Sequence, residues 1–512
     1  MSTQYSKHTP SKKTATQDTE ILGANQVTNS DGFYVWAVDP WKRLDRFLIL
    51  GSEGGSYYAS ERDLTVDNAK NLLACIAADG ARTVARIVEV SDRGLAPKND
   101  PAIFALALAS IHGDQATRQA AYQALPQVAR TGTHLFQWAQ ARNDMAGWGR
   151  GARSALARWY NSKTPDALAY QLIKYQQRGG WSHRDLLRLS HATPVDEAHN
   201  GLFAYATGKL GIEDTLPEII HGTVAMQGVE NEKEVAELVT RYNLPREVVP
   251  TEYLSSPRVW DALLQRMPLT ALVRNLGNLS KSGLLKPLSD AERLVVSKLS
   301  DREYLHKSRI HPLGLLVAYN TYSQGHGVRG SGEWTVSNRV TEVLDSAFYL
   351  AFENVQPANR RFLLAVDTSG SMTGAYGYGA FGGPSASPMA GMTGVSPRMA
   401  SAVMAMVTLA TEPETHTIAF SNKAAELRLN RKMSLKEVIR EVESKAALDT
   451  NVSAPMVAAL DRGWNVDVFV IYTDSETNAT GQLQPVAALQ RYREKTGIPA
   501  KLVVVGMVSS GF

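Results

Sequence analysis

Between Trp36 and Phe352 apolar residues return at every third or fourth position and β-branched alternation is scarce, a period that predicts α-helices. The pattern is clearest over Asp67–Ala78, Ala102–His112, Thr117–Leu125, Ala152–Tyr160, Asp166–Gln176, Lys233–Arg241, Ser256–Met267, Pro268–Leu276, Asp290–Leu299 and Thr341–Phe352. Start signals support two of these: Ser256 before Pro257, and Ser289-Asp290 ahead of Glu292. Near Arg361 the period changes. Phe362–Val366, Thr415–Phe420, Val466–Tyr472 and Ala500–Gly506 are short apolar runs, and helical patterns at Arg398–Thr411, Ser434–Ser444 and Gln484–Thr496 lie between them. Strands apolar on both faces, alternating with helices, predict a doubly wound parallel sheet covered on two sides. The fold class expected is therefore multidomain α and α/β. A helical domain spans 31–357 and an α/β domain spans 358–512, with the Gln356-Pro-Ala-Asn linker at the join. Residues 373–397, rich in Gly, Ser and Pro, are expected to form a flexible insertion, and the polar residues 1–30 a disordered N-terminal tail.

Composition narrows the class. With 44% hydrophobic and 20% charged residues in 512, the chain can bury a sizeable core. Its longest apolar runs, such as Phe104–Ile111 and Leu502–Val508, fall well short of the about 18 residues that a membrane helix needs. Cys75 is the single cysteine and has no partner in the chain, and no cationic, apolar leader opens the sequence. Both features lead us to expect a cytoplasmic protein. The net charge of +4 is small for a protein that coats nucleic acid. The charge is unevenly placed, however: residues 142–191 hold nine basic and three acidic side chains.

The first α/β strand ends in Asp367-Thr368-Ser369-Gly370-Ser371, a D-x-S-x-S pattern. One carboxylate and two hydroxyls spaced two apart at a strand's carboxyl end can converge on a hard cation. Asp474 follows the Val466–Tyr472 strand, and Thr450 precedes a helical pattern, so both fall where open α/β sheets place ligands. Asp367, Ser369, Ser371, Thr450 and Asp474 form an all-oxygen set suited to Mg²⁺ or another divalent cation that keeps a position open for a partner's carboxylate or phosphate. The bland alternative is a Ser/Asp-rich turn capping a helix. The set matches the metal-ion-dependent adhesion site of von Willebrand factor A domains.

The second feature is the basic run Ile173–His191, IKYQQRGGWSHRDLLRLSH. A break at Gly179-Gly180 and a Ser182 cap predict a helix that carries Arg184 and Arg188 at i,i+4, with His191 three residues on. Lys174 and Arg178 share the same spacing, expected on the preceding helix. Two helices at a turn would offer two basic faces and an imidazole to phosphates and 2′-hydroxyls. For Arg184 and Arg188 alone, a solvated helix face explains the pattern as well. His183 and His191, eight apart and without cysteines, make a poor zinc pair.

These stretches, with DGFYVWAVDPWKRLDRFLILGSEGGSYY, THLFQWAQ, GWGRGARSALARWYNSK, MPLTALVRNLG, RIHPLGLLVAYNTYSQGHGVRG, RFLLAVDTSGSM, VFVIYTDSET and YREKTGIPAKLVVVGMVSSGF, make the chain resemble the Ro ribonucleoprotein family from Asp31 to its last residue. The helical part of that family is the TROVE module. The resemblance implies a ring of HEAT-like helical repeats, closed by a Rossmann-like von Willebrand factor A domain. It implies small noncoding Y-type RNAs bound on the outer surface, and 3′ single-stranded ends of misfolded RNAs held in the central hole. An exoribonuclease or another protein would be reached through the RNA or the A domain, and the chain would be a monomer and not an enzyme. By position, Lys174, Arg178 and His191 match the family's Y RNA contacts. Arg150 and Arg153 join them by charge alone. An Mg²⁺-dependent protein-binding adaptor acting through the A domain is the alternative function. The sequence departs from the family at Asn451, where related proteins carry an acid, and at Leu448-Asp449, where they carry a Gly pair, which makes Asp449 the candidate to replace the missing charge. The A domain also ends early, at Ser509-Ser-Gly-Phe512, where the family continues with a further strand and helix.

Other motifs carry less. Gly325–Gly330 fits G-x-G-x-x-G but follows a helical pattern, so a tight loop is expected there, with His326 and Arg329 as candidates to face the hole. Gly51–Gly55 lacks the Lys of a phosphate loop, and Tyr57 and Tyr58 beside it are read as core. Cys75 has no nearby His, and no G-x-S-x-G elbow occurs.

Overall fold

The structure, a computed structural model, describes residues 15–28, 32–50, 61–96, 98–209, 215–327, 332–373, 395–445, 450–474 and 480–507. It begins with a two-stranded ribbon, β1 (Gln26–Thr28) and β2 (Tyr34–Trp36). Then come α1 (Pro40–Leu50), α2 (Glu61–Ala78), α3 (Gly80–Asp92), α4 (Asp100–His112), α5 (Gln115–Val128), α6 (Gly132–Met145), α7 (Arg150–Asn161) and α8 (Pro165–Lys174). A hairpin, β3 (Gln177–Arg178) and β4 (Trp181–Ser182), leads into α9 (His183–Ser190), α10 (Glu197–Thr207), α11 (Glu218–Ala225) and α12 (Glu232–Tyr242). The array ends with α13 (Pro257–Arg266), α14 (Leu269–Lys281), α15 (Asp290–Ser300), α16 (Arg302–Ser308), α17 (Pro312–Ser323) and α18 (Asn338–Leu350). Side-chain caps fix many of these starts: Asp79, Asp114, Thr131, Thr164, Ser256 and Ser289 each accept from a backbone N–H in the first turn. Among the described residues no helix is long and apolar enough to cross a membrane.

Helix α4 (DPAIFALALASIH) is apolar around its whole circumference and is correspondingly buried, contacting α1, α2, α3, α5 and α6. It centres an N-terminal core that includes Trp138, Trp159 and Tyr160. A second core runs from α12 to the α/β domain without interruption, taking in Leu364, Val366, Val403 and Tyr472. Ile219 and Val248 pack against both cores.

The α/β domain holds a five-stranded sheet in the order β7-β6-β5-β8-β9. Its strands are β5 (Arg361–Asp367), β6 (Glu414–Phe420), β7 (Ala424–Glu426), β8 (Val468–Thr473) and β9 (Lys501–Gly506), and its helices α19 (Pro397–Thr411), α20 (Leu435–Glu443), α21 (Ala454–Asp461) and α22 (Pro485–Thr496). β6, β5, β8 and β9 are parallel, as predicted. β7 is not: it runs antiparallel to β6. Three residues separate the two strands, enough for a hairpin and far too few for a parallel crossover. The domain begins on the last helices of the array, because α17 and the turn after α18 contact α19.

The expectation of a disordered tail over residues 1–30 needs correcting. Residues 15–28 are ordered against the α/β domain: Thr16 bridges Leu483, Gln17 N donates to Gln482 O at 2.8 Å, and Gln484 N donates to Ala15 O at 3.0 Å. A polar segment can be held this way because backbone and amide hydrogen bonds, which hydropathy does not register, do most of the anchoring. The α/β domain therefore receives both the start and the end of the helical array. The 374–394 part of the insertion, Tyr57, Tyr58, Arg329 and Asp449 lie outside the described residues. His326 is described, in an isolated bridge with Glu333.

Candidate functional site

Two groups of residues concern function. The first is built on α7, α9 and the hairpin between α8 and α9. Ser182 caps α9 and exchanges hydrogen bonds with Asp185, a capping box that fixes the helix start. The helix stops at His191, which sits in the left-handed region (φ 48°, ψ 42°), a conformation costing a non-glycine residue about 1–2 kcal/mol. His191 thereby turns out from the helix end to face α7. Arg150, Arg153, Ser154, Ala157, Ser190, His191 and Thr193 together line a cavity of about 490 Å³. Arg150 is exposed, and Arg153 keeps its Nε buried with no hydrogen-bond partner. Two guanidinium groups, an imidazole and three hydroxyls around one opening provide donors for phosphate oxygens and ribose hydroxyls.

The expected pairing of Lys174 and Arg178 on one helix does not form. α8 ends at Lys174, and Arg178 lies on β3. Gly179 and Gly180 both have positive φ (57° and 82°), the backbone of a two-residue hairpin turn, so the chain reverses where the helix was expected to run on. Trp181, directly after the turn, packs edge-to-face on Trp148 at 5.8 Å, and Trp148 packs in the same way on Trp138. Arg178 is exposed on the hairpin, and Arg184 and Arg188 are exposed on α9. Lys174 is partly enclosed by tyrosines, with Nζ donating to Tyr170 Oη at 3.0 Å and lying 5.6 Å from the Tyr175 ring. Burial works to lower the Lys174 ammonium, but the Tyr170 hydrogen bond, both phenols and Glu247 outweigh it and hold it above the ordinary lysine value.

Charge counting also overstates what faces outward. Arg142 is buried, donating to Ser110 O, Ser110 Oγ and Gly147 O. Lys163 lies 4.0 Å from the centre of the buried Trp159 ring. His183 is a core residue: Tyr160 Oη is 2.9 Å from its Nδ1, and burial lowers its pKa to about 4.

The second group lies at the carboxyl ends of β5 and β8. Asp367, Ser369 and Asp474 are buried there, and Thr450 is buried in a loop held to the end of β6 through Asn451 N, while the Ser371 side chain lies outside what the structure describes. Asp367 accepts from Ser369 N at 2.9 Å and from Thr473 Oγ1 at 2.6 Å. Burial, and then the charge of Asp474, raise the Asp367 carboxyl to about 7, against the pull of those hydrogen bonds. Two carboxylates crowded in a buried, oxygen-lined site are a setting that a divalent cation would relieve, so the residues fit the expected group. No cluster of three or more His, Cys, Asp or Glu occurs among the described residues. Sequence reasoning missed Arg398. Buried at the start of α19, it donates to Thr368 O and Ser369 O, both at 2.9 Å, and so braces the loop that carries Ser369. The sequence held no signal for it, since the contact crosses the insertion.

Known proteins match both regions. The TROVE domain profile covers residues 27–215 and 240–324, and the Ro60 vWA domain profile covers 361–512. A protein named RNA-binding protein RO60 from Deinococcus radiodurans is 38% identical over 503 residues, covering 96% of this chain and 91% of that protein. Its namesake from Caenorhabditis elegans is 31% identical, covering 95% and 86%. The crystal structure of the Deinococcus radiodurans RO (RSR) protein superposes with a TM-score of 0.76 at 37% identity, covering 91% of this chain and 92% of that one.

Proposed function

The chain belongs to the Ro60 family of TROVE-domain proteins, and from that premise we propose that it is an RNA-binding, ring-shaped scaffold of a ribonucleoprotein. It binds small noncoding Y-type RNAs on its basic outer surface. It takes the single-stranded 3′ ends of misfolded noncoding RNAs into a central hole, serving RNA quality control without chemistry of its own. The observation that carries this reading is the cavity where Arg150, Arg153 and His191 meet among hydroxyls, within the most basic stretch of a chain whose net charge is only +4. Arg178, Arg184 and Arg188 offer further exposed cations on the hairpin and α9, and we assign Lys174, at the end of α8, to the same RNA-binding surface. A gel shift with a Y-type RNA tests this reading. Changing Lys174, Arg178 and His191 together to Ala should abolish the shift, and an intact shift would remove these residues from the site.

A second reading is favoured by the crowded Asp367–Asp474 pair: the A domain acts as an Mg²⁺-dependent adaptor for a protein partner. Asp367, Ser369, Ser371, Thr450 and Asp474 would hold the ion, which supplies a positive centre for a partner's carboxylate. The chain's own contribution is positional. Thr473 and Ser369 N orient Asp367, and Arg398 braces the Thr368–Ser369 backbone. Asp367→Ala should abolish Mg²⁺ binding in calorimetry, whereas RNA binding should survive EDTA.

A further inference from the structure

Asn451 follows the candidate ligand Thr450, and none of its side-chain capacity is idle. Its Oδ1 accepts from Gln17 Nε2 at 3.0 Å, from Ser453 N at 3.1 Å and from Ser453 Oγ at 2.6 Å. Its Nδ2 donates toward Asn422 O at 3.4 Å and Gln482 Oε1 at 3.3 Å. The backbone N of Asn451 donates to Ser421 O at 2.8 Å, pinning the Thr450 loop to the end of β6. Gln17, from the other end of the chain, is 1% exposed and donates from the same Nε2 to Leu483 O at 3.1 Å. The strap around it, residues 15–28, and the ribbon that follows are tied by three more bonds: Gln484 Nε2 donates to Thr16 O and Tyr34 O, each at 3.3 Å, and Tyr34 N donates to Gln17 O at 3.0 Å. An acid at position 451 would set an oxygen against Asn422 O and Gln482 Oε1, so the strap's receptor requires the amide.

We infer that the cation site and the N-terminal strap are one thermodynamic unit, in which a cation bound through Thr450 and the docking of residues 15–28 on the A domain strengthen each other through Asn451. This rests on the metal-site reading above. The physical basis is that Thr450 and Asn451 are adjacent and both buried, at 2% and 3% exposure, so the loop position that offers Thr450 to an ion also fixes the oxygen that Gln17 grips. A buried amide that loses its partner is costly, so a shift of the loop that moves Thr450 also strains the Gln17 contact. Coupling of this kind is reciprocal: whatever factor the strap adds to cation affinity, the cation adds to strap docking. The strap leads through the β1–β2 ribbon into α1, so the cation would tighten the contact that joins the first helices to the A domain.

The test uses the full chain and Mg²⁺ alone. Hydrogen–deuterium exchange of residues 15–28 is compared in Mg²⁺ and in EDTA, and Mg²⁺ affinity is measured by calorimetry for wild type, Gln17→Ala and Gln484→Ala. Gln484→Ala loosens the strap without touching Asn451. If one variant fails to fold, the other and the wild-type exchange still decide the matter. Strap exchange should slow about fivefold or more with Mg²⁺, and each folded variant should bind Mg²⁺ about fivefold more weakly. If wild type binds Mg²⁺ while strap exchange and variant affinities are unchanged, the coupling is overturned and the metal site stands. If wild type does not bind Mg²⁺, both fall.

Discussion

Removing Arg150 and Arg153 together probes how the cavity between α7 and α9 would engage RNA. Both line the cavity, one turn apart on α7, and neither forms an ion pair with a carboxylate among the described residues. Their charge is therefore available to a ligand, and the double change to Ala disturbs no internal ion pair. Deleting a cation that neutralises one phosphate should lower the steepness of log K against log salt by about 0.9 on a duplex, or about 0.7 on a single strand. On a Y-type duplex the double variant should therefore show a slope shallower by about 1.8. Raising salt fourfold, from about 50 to 200 mM, then narrows the gap between wild type and variant about 12-fold. Fluorescence anisotropy with a labelled Y-type RNA across that range measures it, with Lys495→Ala on the exposed side of α22 as a control that should leave the slope alone. A parallel shift with unchanged slope would mean that the arginines do not meet phosphates. Unchanged affinity throughout would take the cavity off the RNA path altogether.

Three further outcomes follow from geometry. Unfolded His183 takes up a proton near pH 6.5, while the buried ring resists until about 4, so its contribution is present above pH 6.5 and is lost as pH falls from 6.5 toward 4. The stake is about 3 kcal/mol, and thermal melts across that range should show a shallower loss for His183→Gln. Arg142→Ala strands the carbonyls of Ser110 and Gly147 and opens a hole beside Trp138, at a cost of about 3 kcal/mol, so Tm should fall by several degrees while the salt slope of RNA binding stays the same. At the hairpin, Gly179→Asn should be tolerated, because Asn-Gly suits this turn, whereas Gly180→Ala forces a side chain to φ 82° and should weaken RNA binding through Arg178.

The long periodic segments were legible because burial imposes their period. The helices around Ala102–His112 and Asp290–Leu299 and the four parallel strands lie within a residue or two of their expected spans. Thr450 and Asp474 were singled out because sheet topology fixes where ligands gather; both are buried, and the charge of Asp474 reaches Asp367. Short helices such as α11 and α16 escaped, since two turns give periodicity little to act on. The Lys174–Arg178 pairing failed because Gly-Gly was read as a break between helices when its backbone closes a hairpin. Charge counting could not tell Arg142, held inside by carbonyls, from Arg150, which is exposed: net charge carries no information about burial. The strap was missed for a related reason, as Gln17 and Gln484 bury amides that resemble surface residues in any hydropathy profile.

The Gln17–Asn451 contact joins residues 434 positions apart. A ribosome adding about 5–20 residues per second needs on the order of 20–90 s to reach Asn451 after Gln17. The helices between them can pack locally as they emerge, since each contacts mainly its neighbours along the array. A segment made long before its receptor would thus be among the last to find its place, and until then the start of the helical array would stay unfastened from the A domain.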